Sequence, residues 1–172
     1  MNLTKETLLQ LLQETSFEYQ VYEHPPIFTV EEAKAMEHSL HCPGAHVKNL
    51  FLRNHKKTFY CLLTVKEDKT VDLSTLSQQW DVGRFSFASP ADLERFLQVS
   101  PGSVTPFAIL NDTACKVKLY FDEDLLNEAI INIHPMVNTA TIGMKREDLV
   151  SFLEKNHHEK ITFIHIPSME KG

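Results

Sequence analysis

Long apolar runs are missing from this chain of 172 residues. None approaches the roughly 18 residues that a membrane span requires, so no span is expected. Cysteine is scarce: Cys42, Cys61 and Cys115 are widely spaced and include no C-x-x-C pair. That argues against a disulfide framework and against a cysteine-rich zinc site, and reduced, packed thiols are expected instead. Basic residues are outnumbered, 17 Lys and Arg against 23 Asp and Glu, for a formal net charge of −6. A broad basic footprint gripping a nucleic-acid duplex through many phosphates is therefore disfavoured, and any nucleic-acid contact should be local. There is no G-x-G-x-x-G, Walker loop, H-E-x-x-H or G-x-S-x-G, which argues against nucleoside-triphosphate and zincin chemistry. The opening residues Met1 to Glu6 contain no apolar signal segment and already carry an acid, so a cytosolic (cytoplasmic) location is expected. At this length one well-buried core is expected, a single domain over residues 1–172.

What is present reads as a mixture of short elements. Leucines at helical spacing behind Thr4 predict a helix over residues 4–14, and the strict alternation from Phe17 to Glu23 predicts a strand that must end at His24-Pro25-Pro26. Thr29-Val30-Glu31-Glu32 is a capping box for a helix to about Met36. Ala45 to Arg53 and Thr58 to Val65 form an expected antiparallel hairpin around Asn54-His55-Lys56-Lys57. Asp72 caps a helix through Gln79, Arg84 to Phe87 is a short strand, and Ser89-Pro90 starts a helix ending near Gln98. Phe107 to Leu110, Val117 to Phe121, Ala129 to His134, Asn138 to Ile142 and Ile161 to Ile166 read as strands. One or two helical turns follow Asp122, and Lys145 to Lys155 reads as an amphipathic helix. With no regular βαβ rhythm, the expected class is α+β, a curved mixed β-sheet with helices outside.

Three segments carry polar chemistry that core-building does not need. On the strand that opens Val47-Lys48-Asn49, Lys48 shares a face with Leu50 and Leu52. An inward ammonium either snorkels at a strand end or serves an anionic or carbonyl group in a cavity. The turn Gly102-Ser103-Val104-Thr105-Pro106 is either an ordinary loop or a device that points the N–H groups of Ser103, Val104 and Thr105 at a ligand oxygen. In His134-Pro135-Met136-Val137-Asn138-Thr139-Ala140-Thr141, the imidazole, amide and hydroxyls either satisfy a turn and an edge strand or line a pocket. His38, His41 and Cys42 have ligand-like spacing but no second cluster to complete a zinc site, and His157-His158 reads as a solvated helix end.

In this order and spacing the segments resemble the prolyl-tRNA-synthetase-associated editing domain family, which includes the bacterial YbaK and ProX proteins. The matching pieces are Val47 to Leu52, Val71-Asp72-Leu73, Phe85 to Pro90 with Leu93, Val99 to Phe107, and His134-Pro135 with Asn138-Thr139-Ala140-Thr141. They span about residues 4–155. The resemblance implies a curved mixed sheet surrounded by helices and a deacylase that hydrolyses the ester of a wrongly charged aminoacyl-tRNA, with no cofactor. The His-Pro and Asn-Thr-Ala-Thr segment looks most like the branch that clears alanine from proline tRNA.

On that resemblance Lys48, Gly102 and His134 are the expected catalytic residues. Asn49, Ser103, Val104, Thr105, Pro106, Asn138, Thr139 and Thr141 are the expected substrate contacts, and no metal is implied. Val30, Ala33 and Ala45 could border the pocket. The expected partners are the acceptor end of tRNA, met by Lys48, Arg53, Lys56 and Lys57, and a prolyl-tRNA synthetase. Two other readings stay open: a non-catalytic module binding an amino acid, an adenylate mimic or a synthetase, and an unrelated small-molecule hydrolase.

Overall fold

The computed structural model describes residues 2–169. Among them the chain runs α1 (Lys5–Gln13), β1 (Tyr19–Glu23), α2 (Val30–Leu40), β2 (Ala45–Asn54), β3 (Tyr60–Lys66), α3 (Leu73–Trp80), β4 (Phe85–Phe87) and α4 (Pro90–Phe96). Then come β5 (Val117–Asp122), β6 (Ile130–Ile133), β7 (Ala140–Lys145), α5 (Arg146–His157) and β8 (Thr162–Ile164). Three 3-10 turns, Pro101–Ser103, Pro106–Asn111 and Glu123–Asn127, link them.

Helix starts follow side-chain capping. Thr4 accepts from the Thr7 amide at 3.2 Å while Thr7 Oγ1 accepts from the Thr4 amide at 2.7 Å. Asp72 accepts from the Thr75 amide, and Ser89 and Asp92 close a second reciprocal box ahead of Pro90.

The strands form one mixed sheet in the order β1-β7-β6-β2-β3-β5-β8, with β4 added on β2. This is the α+β architecture with a mixed sheet that the sequence predicts. β2 is its spine. At its start Ala45 and His46 pair in parallel with Ile131 and Asn132 of β6; from Val47 to Arg53 it pairs antiparallel with β3; and Leu52 to Asn54 also pair with β4. The β2–β3 turn is held by Asn54, whose Oδ1 accepts from the amides of Thr58 and Phe59. Gly44 enters β2 at φ +98, where a Cβ would lie 2.5 Å from the Ile130 carbonyl oxygen, so only glycine fits.

Period-two alternation divides the apolar residues between two layers. Phe51, Leu62, Leu119, Phe121, Ile131, Ile133 and Ile142 join Leu8, Leu12, Phe107, Leu149 and Phe152 in the main core. Leu52, Cys61, Leu63 and Val65 face the other way, onto Leu76, Phe85 and Ile166.

Four expectations need correction. Phe107 to Leu110 is part of a buried 3-10 turn instead of a strand. Its residues pack inward onto α5, with the Phe107 and Phe152 rings 6.0 Å apart, and Asn111 fixes its end by accepting from the Leu3 amide and donating to Leu97 O. α2 continues past Met36 to Leu40 because His41 adopts the left-handed cap conformation, φ 53, and donates to Glu37 O. β7 begins at Ala140 instead of Asn138, since Met136 at φ 70 places the preceding residues in a turn. His157 is buried, with Nε2 3.2 Å from Asp112 Oδ2. Burial pushes the Asp112 carboxyl up, but hydrogen bonds from His157 and from the Val117 and Lys116 amides outweigh it and hold the group below its ordinary value. Among the described residues no helix is long and apolar enough to cross a membrane.

Candidate functional site

On β6, Ile131 and Ile133 face the core, which turns Asn132 and then His134 to the opposite face of the sheet. On β2, Ala45 faces the core and His46 and Lys48 share the face of Asn132, with His46 paired directly to Asn132. On β7, Ile142 and Met144 point inward, leaving Thr141 and Gly143 on that same outer face, opposite Tyr22 and Gln20 of β1. A layer of imidazoles, hydroxyls and one lysine is thus laid out by alternation alone.

Hydrogen bonds tie the three sequence segments together. Asn49 Nδ2 donates to Val104 O at 3.3 Å, and its Oδ1 accepts from Thr64 Oγ1 at 2.7 Å, so this amide buttresses the Gly102 loop. Thr105 Oγ1 donates to His134 O at 2.6 Å and accepts from the Phe107 amide at 3.3 Å. His134 Nδ1 lies 3.1 Å from Ala140 O, which can only accept; the ring therefore carries its proton on Nδ1 and presents the Nε2 lone pair. Burial first, then the neighbouring His24 and His46 rings, keep His134 below the ordinary imidazole value, against the opposing bond to Ala140. It is neutral at pH 7.

The remaining candidates sit around this frame. Thr141 is buried, and its Oγ1 lies 2.9 Å from His24 Nε2. Thr139 O accepts from the His24 amide at 3.0 Å. A Cβ added at Gly102 would stand 3.6 Å from Asn138 Nδ2 and 3.8 Å from the Phe28 ring. Ser103, Thr105 and Pro106 are buried and Val104 is half-buried. The Ser103 amide, expected to face a ligand, donates instead to Ser100 O at 3.0 Å, because the tight 3-10 winding turns it inward. Lys48 is half-buried and, among the described residues, makes no ion pair; burial lowers its pKa, with Asp68 opposing. Arg53, five residues further along β2, lies about 17 Å from Lys48 at about 3.4 Å per residue, and Lys56 and Lys57 follow in the turn after β2. Ala45 belongs to the core, whereas Val30 is 40 % exposed on α2.

Sequence reasoning passed over His24, Phe28, Glu37 and His46. Glu37 Oε1 approaches His46 Nδ1 at 3.0 Å, and α2 is further tied to the sheet by Lys34 and Asp68 at 2.8 Å. Burial, followed by a hydrogen bond and repulsion from Glu67, pushes the Glu37 carboxyl up to about 8. A signal for His46 was available: it is two residues from Lys48 on an alternating strand. Nothing local pointed to Glu37.

Comparison with known proteins bears on this layout. Residues 24–152 match the model of the aminoacyl-tRNA editing domain. The chain is 33 % identical to the prolyl-tRNA editing protein ProX of Acetoanaerobium sticklandii over 88 % of its own length and 92 % of that protein's. It is 38 % identical to the prolyl-tRNA synthetase associated domain-containing protein 1 of Bos taurus, over 91 % of this chain and 92 % of that one. In fold it is similar to a crystal structure of a candidate trans-editing enzyme for prolyl tRNA synthetase, with a TM-score of 0.70 at 18 % identity, covering 98 % and 99 % of the two chains. The segment that carries His24, Lys48, Gly102, His134 and Thr141 lies within the matched residues, and the chain belongs to the aminoacyl-tRNA editing domain family.

Proposed function

We propose that this protein is a trans-acting deacylase that hydrolyses the ester of mischarged aminoacyl-tRNA, with alanine on proline tRNA as its substrate. The observation that carries the reading is the hydrogen-bonded chain from Asn49 through Val104 and Thr105 to His134, with Thr141 and His24 beside it. It ties the strand residue next to Lys48, the Gly102 turn and the His134 segment, distant in the sequence, to one another. A proline-activating site cannot strongly exclude alanine, since missing methylenes are worth only about 1 to 3 kcal/mol, and a second site of smaller bore answers that need.

Water attacks the ester carbonyl carbon; the new C–O bond forms as the bond to the ribose oxygen breaks, and that oxygen takes up a proton. No serine or cysteine nucleophile is required, and the free neighbouring ribose hydroxyl orients the water while the protein supplies position and electrostatics. Neutral His134 offers Nε2 as an acceptor to the α-ammonium group. Asn138, Thr139 and Thr141 complete the contacts to the aminoacyl group and ribose, and Lys48 holds the terminal phosphate. Asn49, Ser103, Val104 and Pro106 shape the Gly102 turn that faces the carbonyl. Arg53, Lys56 and Lys57, at the other end of β2, meet the acceptor stem. Prolyl-tRNA synthetase is the natural partner, since it makes the error.

A panel of mischarged tRNAs tests the reading. Alanyl-tRNA(Pro) should be cleared fastest, and Lys48→Ala and His134→Ala should each lower kcat/KM by about 100-fold or more. Because His134 titrates below the ordinary imidazole range, wild-type activity should hold at pH 6.5 and decline only in more acidic buffer. If every mischarged tRNA stayed intact with the purified protein, the deacylase reading would be wrong. A substrate ending in 2′-deoxyadenosine that reacted at an unchanged rate would remove the ribose hydroxyl from the mechanism.

A further inference from the structure

Phe28 is the most exposed large hydrophobic residue among those described, at 74 %, and it stands beside the candidate site. Its ring is 3.8 Å from the position a side chain would take at Gly102, and the Asn138 amide is 3.6 Å from the same point. The absent side chain at Gly102 therefore leaves a space bordered by an aromatic ring and an amide donor. Contacts at those distances are ordinary, and Gly102 does not adopt a positive φ, so glycine is not demanded by crowding or by backbone conformation.

We infer that Phe28 is a stacking wall for the purine base of the terminal nucleotide. The proposal rests on the deacylase reading and extends it by naming where the base goes. A flat ring with one side open to solvent suits a flat partner that is itself half-solvated; a small acyl group would need enclosure on all sides. Base–aromatic stacking tolerates sequence and needs no phosphate footprint, which fits a chain carrying net charge −6. Asn138, which borders the same space, supplies a donor to the ring nitrogens of a purine or to the ribose.

The test uses the full-length protein and tRNA carrying 2-aminopurine in place of the terminal adenine, uncharged, so that its readout does not depend on hydrolysis. Stacking should quench the fluorescence on binding to wild type and to Phe28→Trp, and not on binding to Phe28→Ala. With alanyl-tRNA(Pro), Phe28→Ala should raise KM about tenfold with kcat within about twofold, and a substrate with an abasic terminal ribose should show the same loss on wild type and no further loss on the variant. The exposed ring should leave Tm unchanged within about a degree on replacement. Equal quenching by wild type and Phe28→Ala would overturn the proposal. So would equal losses for the variant on intact and abasic substrates, which would make the ring a support for the loop. Quenching by wild type in a protein that clears no mischarged tRNA would leave the base wall standing and remove the deacylase.

Discussion

Toward the C-terminal end of β2, Phe51 and Leu52 are buried on opposite faces, and β3 beside them is buried at every position from Tyr60 to Val65. Toward its N-terminal end only one face is apolar: Ala45 and Val47 meet the core while His46 and Lys48 open onto imidazoles and hydroxyls. The covering helices differ in the same way. α5 buries Leu149, Phe152, Leu153 and His157, whereas α2 has no buried residue and is held by the Lys34–Asp68 ion pair and the approach of Glu37 to His46. Stability is concentrated where two apolar layers sandwich the sheet, and the proposed site lies where one layer is missing, because a ligand must occupy the place a packed side chain would take.

Four substitutions sharpen or break that contrast. The largest effect on stability is expected for Phe121→Ala in β5, whose ring is fully buried and lies 5.5 Å from that of Phe163: a loss of about 3 to 5 kcal/mol in denaturant unfolding, with kcat of the folded fraction unchanged. A fall in kcat beyond the folded fraction would show that the two regions are not separable. Next comes Asp112→Ala, which strands buried His157 and should cost about 3 kcal/mol at neutral pH. Since the carboxyl is held below its ordinary 3.8, its contribution is present above that pH and vanishes as the wild type is acidified further; the variant's stability should be flatter there.

Glu37→Gln should act in the opposite sense. With the native carboxyl raised from 4.5 to about 8, the contribution of Glu37 to stability is full below pH 4.5 and is lost from there to about pH 8. The variant should therefore gain on the wild type as pH rises through that window, by a few degrees of Tm, and an identical pH profile would mean that α2 is not held by a shared proton. The smallest effect on stability is expected for Gly102→Ala, within about 0.5 kcal/mol, because the added methyl meets only ordinary contacts at 3.6 and 3.8 Å. Its turnover should nevertheless fall about tenfold or more, measured as kcat/KM on the same sample.

Most of the sheet was legible, because alternation and turn chemistry are written into neighbouring residues; Lys48, Gly102 and His134 were singled out by the family resemblance. Phe107 to Leu110 was not, since a short apolar run suits a strand and a buried 3-10 turn equally; what decides is packing on Phe152 and the clasp of Asn111 by Leu3 and Leu97, both remote in sequence. His157 looked solvated because it precedes another histidine at a helix end, and its partner Asp112 is 45 residues away. Asn49, expected from the family resemblance as a substrate contact, lies on the opposite face of the strand from Lys48 and donates to Val104 O of the Gly102 loop.

The polar and apolar regions of the sheet meet at a narrow join, the two parallel pairs Ala45 with Ile131 and His46 with Asn132. β3 and β5, by comparison, are registered over five pairs. Amide hydrogens in β1, β6 and β7 should accordingly exchange with solvent as one cooperative unit, at lower protection than those of β3 and β5, and a ligand gripping both Lys48 and His134 would stitch that join shut. Deuterium uptake followed strand by strand, with and without tRNA, would trace the boundary directly.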